Sequence, residues 1–162
     1  MTKSPISPAG RAKMLAEIDH LVRVERPRVS AEVQWAASLG DRSENSEYIY
    51  GKQRMRDIDR RWRYLTDRVE ATVVIDPCTL ERDTVGFGAI VDVEDEDGQV
   101  ATWTLLGEDE VDIAGGVLSA RSPLGKALVG KRADDVVTWE TPKGTRELTI
   151  LTVRYPKPST HP

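Results

Sequence analysis

Apolar residues in the first half of the chain recur at helical spacing. Tyr48, Gly51, Met55, Ile58, Trp62, Leu65 and Val69 alternate in steps of three and four, the heptad seam of a coiled-coil face. Gly51 is its weak member, because it lowers helix propensity while letting a partner backbone approach closely. Upstream, a looser seam runs through Met14, Ile18, Leu21, Val29, Val33 and Ala36. Pro27 falls inside it and predicts a kink or a break near Arg26. Only "SLGDRS" joins the two patterns, so they predict an antiparallel helical hairpin. Drawn from Glu44 to Thr72, the second helix would rise roughly 43 Å at 1.5 Å per residue. The hairpin is expected to be a long, thin rod whose turn projects beyond any compact domain.

After Asp76-Pro77 the period shortens. "GFGAIVDVED" and "QVATWTLLG" read as strands on either side of Asp97-Gly98, a hairpin signal. "GGVLSA", a short helix-like "SPLGKALVG", and "DVVTWE" and "RELTILTVRY" around the turn "TPKG" follow. The expected fold class is α+β: an antiparallel helical coiled-coil hairpin over residues 1–76, then a mainly antiparallel sheet domain with a short helix over 77–162. The proline-rich tail "PKPSTHP" is expected to fray.

Composition narrows the chemistry. The 162 residues are 39% hydrophobic and 31% charged, and no run of about 18 apolar residues predicts a membrane span. The N-terminus lacks the apolar stretch of a secretory signal. Cys78 is the only cysteine, which suits a reducing cytoplasm. His20 and His161, far apart in sequence, argue against a zinc site or a Cys–His nucleophile pair. Metal chemistry would therefore fall to carboxylates and a hard ion such as magnesium. The net charge of −4 is uneven: residues 1–76 carry 14 Lys/Arg against 12 Asp/Glu, whereas 77–162 carry 9 against 15. An acidic total argues against wrapping of duplex DNA, but a local basic stripe could still touch a phosphate backbone.

Two constellations stand out, both on the predicted hairpin. At its turn, Gly40 can end the first helix as the C′ residue, Asp41 can cap the second, and Glu44 can complete a capping box. The same acids, at the exposed end of a rod, could share a divalent cation or position a water beside it. Two carboxylates do not hold magnesium tightly by themselves, so a partner would have to complete the site. Beyond the turn, Lys52, Arg56, Arg60 and Arg63 form one stripe beside the apolar seam. It reads either as a solvated face paired with Asp57, Asp59 and Asp67, or as a track for a phosphate backbone. Tyr48 and Tyr50 could stack on bases, although Tyr48 fits the seam. In the sheet region the glycine pairs form no P-loop or dinucleotide fingerprint. Ser119 and Ser122 have no histidine within reach in sequence, and "EDED" at 94–97 reads either as a cation site or, in preference, as the decoration of a solvated hairpin.

Taken in order, "WAASLGDRSENSEYIY" and "IDRRWRYL" resemble the tip and second helix of the bacterial transcript cleavage factors, the Gre family. "SPLGKALVGK" and "TPKGTRELTILTV" resemble that family's FKBP-like C-terminal domain. The resemblance implies an accessory factor rather than an enzyme. Its coiled coil would enter the secondary channel of RNA polymerase while the globular domain docks at the channel rim. Asp41 and Glu44 match the family's tip carboxylates. They would help hold the polymerase's second magnesium and orient the water that hydrolyses backtracked RNA; the ion would not be bound tightly by the free protein. The stripe of Lys52, Arg56, Arg60 and Arg63 would face the extruded RNA 3′ end, and Ser122 and Pro123 would contact polymerase. A cytoplasmic monomer is expected. Ser46-Glu47 depart from the family's Ala-Asp or Ala-Glu while keeping the second acid. An alternative is a channel-occupying regulator that does not stimulate cleavage, whose relatives usually alter the tip acids. A prolyl isomerase is disfavoured, because Phe87, Trp103, Trp139 and Tyr155 are the only aromatics available to line its pocket.

Overall fold

The structure, a computed structural model, describes residues 3–40 and 45–157. By contacts the chain divides into two units, residues 11–71 and residues 1–10 with 72–162. The division falls elsewhere than at 76/77 because the chain's first strand, β1 (Ser4–Ile6), pairs in parallel with β2 (Thr72–Val74). The segments on either side of the hairpin are thereby joined in one small sheet.

The hairpin unit contains most of α1 (Pro8–His20), a π-helical turn (Leu21–Glu25), α2 (Arg26–Ala37) and α3 (Ser46–Glu70). Pro27 does not break the helix. It sits in the first turn of α2, directly after a π-helical turn. The irregularity is taken up by the π turn, in which the Arg26 N–H donates to the Leu21 carbonyl five residues back. That turn inserts one extra residue, and the sequence compensates: Leu21 and Val29, both buried, are eight apart rather than seven. The buried residues of the first arm are Met14, Leu21, Val29 and Ala36, and those of α3 are Gly51, Ile58 and Leu65. The close approach expected at Gly51 is made by a side chain, since a Cβ there would lie 2.6 Å from Val33 Cγ2. The 25 residues of α3 span about 37 Å; the helix starts and stops inside the expected bounds.

Ion pairs on the flanks follow the hairpin's register. Arg54 and Arg61, seven apart on α3, reach Glu25 (Nη2–Oε2 3.0 Å) and Glu17 (Nη2–Oε1 3.0 Å) on the other arm. The two glutamates are eight apart, the difference again being the residue added by the π turn. Hydrogen bonding to Arg61 holds the Glu17 carboxyl below its usual pKa.

The second unit carries a five-stranded sheet of order β5-β4-β3-β7-β6, from β3 (Ile90–Asp95), β4 (Val100–Leu106), β5 (Val117–Ser119), β6 (Val136–Thr141) and β7 (Gly144–Arg154). All neighbours are antiparallel except β4 and β5. The expected turns at Asp97-Gly98 and Pro142-Lys143 are present. Gly98 (φ +80°) and Gly144 (φ +119°) occupy positive-φ backbone there. Val91 and Val93 alternate inward to meet Leu105, Val137, Leu148 and Ile150, each burial contributing roughly 1.5–3 kcal/mol. Trp103, Trp139 and Tyr155 are partly buried and pack against this core. On the opposite face, Asp92 accepts from Thr102 Oγ1 (2.5 Å), Thr152 Oγ1 (2.7 Å) and Arg154 Nη1 (2.7 Å). The short helix α4 (Pro123–Leu128) completes the unit.

Candidate functional site

The end of α2 and the start of α3 are tied together by Asn45. Helix α2 ends at Ser38, whose hydroxyl donates to the Trp35 carbonyl (2.6 Å). Gly40 stands two residues past that cap with φ +121°, so it is not the C′ residue. Helix α3 then begins at Ser46 with Asn45 as its N-cap. Asn45 Oδ1 accepts from the Tyr48 N–H (3.1 Å), while its Nδ2 donates to the Ala36 carbonyl (2.6 Å). One side chain thus caps an orphan N–H of α3 and gives a second donor to the Ala36 carbonyl of α2, which also accepts from the Leu39 N–H (3.1 Å). This corrects the expected cap: the helix starts later than Asp41 requires, and an amide can bridge both helix ends where a carboxylate has no N–H to give. Asp41 and Glu44 lie outside the described residues. Glu47 stands in the first turn of α3, where the helix dipole favours an acid.

Down the rod from the turn, the stripe residues remain exposed. Lys52 lies 6.0 Å from the centre of the Tyr48 ring, and Arg56 donates to Gln53 Oε1 (2.8 Å). Arg60 meets Asp57 at 3.4 Å, a surface pair of small energetic consequence. Arg63 has no ion pair among the described residues. Of the three expected aspartate partners, only Asp57 pairs within the stripe, whereas Asp59 is drawn to Arg26 (3.0 Å). Arg54 and Arg61, which pair with glutamates of the other arm, are not in the stripe. Tyr48 is half-buried on the seam, and Tyr50 is 74% exposed.

In the sheet unit, Ser122 N-caps α4, accepting from the Gly125 N–H (3.0 Å) and donating to the Ser119 carbonyl (2.7 Å). Pro123 begins that helix and is exposed. The acids at 94–97 build the hairpin. Asp95 Oδ1 accepts from the N–H groups of Asp97 and Gln99 (both 2.9 Å), and Arg146 approaches Asp95 and Asp97. Among the described residues no three His, Cys, Asp or Glu side chains are grouped so as to hold a metal ion. None of the described helices is long and apolar enough to cross a membrane.

A helical hairpin followed in the chain by a mainly antiparallel sheet unit agrees with what comparison with known proteins finds. Residues 4–74 match the family model "Transcription elongation factor, N-terminal", and residues 80–155 match "Transcription elongation factor, GreA/GreB, C-term". The chain belongs to the GreA/GreB family of transcription elongation factors. Among its curated relatives, transcription elongation factor GreB of Neisseria meningitidis serogroup B is 48% identical over 157 residues, 96% of each chain. GreB of Pseudomonas aeruginosa is 44% identical over 151 residues, 93% of this chain and 90% of that one. Among solved structures, the GreA factor homolog 1 (Gfh1) protein of Thermus thermophilus is 24% identical, with a TM-score of 0.44 over 94% of this chain and 99% of that one.

Proposed function

We propose that this factor inserts its helical hairpin into the secondary channel of RNA polymerase and stimulates the polymerase's own cleavage of backtracked RNA. The observation that carries the reading is the pair Asp41 and Glu44, which stand in the sequence between the end of α2 and the start of α3. Two acids in the sequence between the arms of a hairpin whose second helix spans about 37 Å suit a reaction centre buried at the end of a narrow passage. Magnesium takes six oxygen ligands and sheds water reluctantly, so Asp41 and Glu44 would hold it only together with acids of the polymerase. The ion, when bound, neutralises charge on the phosphoryl group and acidifies water. Asp41 and Glu44 would orient the attacking water and increase occupancy of the shared site. Lys52, Arg56, Arg60 and Arg63 would attract the extruded RNA, and Ser122 and Pro123 would face the channel rim. The factor acts as a cytoplasmic monomer.

The test is cleavage in purified backtracked complexes with Asp41→Asn and Glu44→Gln, singly and together. Loss of a positioned charged group at a phosphoryl-transfer centre should lower the stimulated rate by about 10²–10³-fold at unchanged polymerase affinity. Full cleavage by the double variant would overturn the mechanism. A wild-type factor that binds without stimulating cleavage would instead be a channel-occupying regulator.

A further inference from the structure

The π turn leaves a cleft in the side of the hairpin. Its volume is about 320 Å³, and it is lined by Leu21, Val22, Arg26, Ile58, Asp59 and Trp62. Leu21 and Ile58 form a buried floor, at 7% and 2% exposure. Val22 and Trp62 are the walls, and they stand 46% and 42% exposed. Trp62 occupies a seam position, where a coiled coil would ordinarily enclose it. Opposite it the first arm has left α-helical register, and the indole is not covered.

Three features identify the occupant. The cleft opens beside the basic stripe: Asp59 lies three residues after Arg56 and four before Arg63, which makes all three neighbours on one side of α3. Its rim offers hydrogen bonds of both senses. Arg26 and Asp59 are joined by a single contact, Nε to Oδ1 at 3.0 Å, so the guanidinium retains N–H donors and the carboxylate retains Oδ2 as an acceptor. Its walls are an indole, the kind of ring on which an unpaired base stacks, and an aliphatic side chain. Apolar walls, a donor and an acceptor at the mouth, and cations alongside are what a nucleobase on a phosphate chain requires.

We infer that the Trp62 cleft receives a base of the extruded single-stranded RNA. The inference rests on the proposed function and adds a contact with a defined position. Trp62 is sixteen residues beyond Ser46, about 24 Å along the helix. An RNA extruded by only a few nucleotides therefore ends before the cleft, and a longer one reaches it. The cleft would favour deeply backtracked complexes, where the basic stripe alone attracts phosphates without fixing any one base.

The experiment uses the full-length factor and polymerase complexes backtracked by two and by about twelve nucleotides. Loss of one stacked base should lower the rate of deep cleavage by roughly tenfold relative to shallow cleavage in Trp62→Ala; Trp62→Phe should restore most of that ratio. A thermal melt of each variant identifies any that has unfolded, and Trp62→Phe then carries the comparison. In parallel, 4-thiouridine placed at successive positions of the extruded RNA should crosslink to residues 21–26 or 58–62 of the wild-type factor at one register. Equal effects of Trp62→Ala at both depths, or crosslinks to the cleft at no preferred register, would overturn the inference. Weaker binding of Trp62→Ala to polymerase lacking extruded RNA would assign the cleft to a protein contact and overturn it too. A wild-type factor that fails to cleave even shallow complexes rejects the proposed function itself. Normal wild-type cleavage with no effect at Trp62 rejects only the cleft.

Discussion

Asp92 shows how one side chain on an open sheet face can fasten three strands. Its carboxylate takes donors from Thr102 on β4 and from Thr152 and Arg154 on β7. Those hydrogen bonds, led by Thr102, lower its pKa from 3.8 to about 2. An unfolded chain therefore binds this proton more readily than the folded one, and the stabilisation is lost as pH falls from about 4 toward 2. Asp92→Asn should cost about 1–2 kcal/mol at neutral pH, after allowance for solvent screening at the sheet surface. Urea denaturation across pH 2–7 should show wild type and variant converging at the acid end. The position is invisible to periodicity, because an aspartate on the outward face of a strand looks like any solvated residue until the cross-strand partners are known.

Among the elements, the junction of α2 and α3 depends most on a single residue. Loss of an Asn cap costs about 1 kcal/mol, and Asn45 also holds the Ala36 carbonyl. Asn45→Asp retains an acceptor for the Tyr48 N–H but has no donor for Ala36, whereas Asn45→Ala has neither. Amide exchange at Tyr48 should accelerate in Asn45→Ala and stay slow in Asn45→Asp, while stimulated cleavage should fall in both. Slow exchange at Tyr48 in Asn45→Ala would show that the cap is unimportant. The π turn has an equally definite role. The eight-residue spacings from Leu21 to Val29 and from Glu17 to Glu25 face a seven-residue repeat on α3, and one inserted residue reconciles them.

For the molecule, the chain's first residues matter to the sheet unit rather than to the hairpin. β1 is held by pairing with β2 and by Glu110, which accepts from the N–H groups of Ser7 (3.1 Å) and Gly107 (2.9 Å) and from the Ser7 hydroxyl. Gly107 permits this attachment, since a Cβ there would stand 2.2 Å from the Pro5 carbonyl oxygen. Backbone cannot yield as a flexible side chain can, so Gly107→Ala should destabilise the unit by about 2 kcal/mol. The loss should appear in chemical denaturation and as faster exchange of the Ile75 N–H, which donates to the Ile6 carbonyl (2.9 Å). Unchanged exchange there would show that β1 tolerates displacement.

What the amino-acid order determined by itself was whatever periodicity carries: two helical arms, their seams, the strand hairpins with their glycine turns, and the acids lying between the arms. Apolar spacing is a local property, and burial of one face enforces it wherever the chain folds. The tertiary structure decided what depends on residues distant in sequence. It made Asn45 rather than Asp41 the cap, because the Ala36 carbonyl comes within its reach. It converted the irregularity expected at Pro27 into a π turn, because the first arm had to stay in register with α3. It moved Ser4–Ile6 into the sheet unit, and it left Trp62, a seam residue by spacing, beside an open cleft.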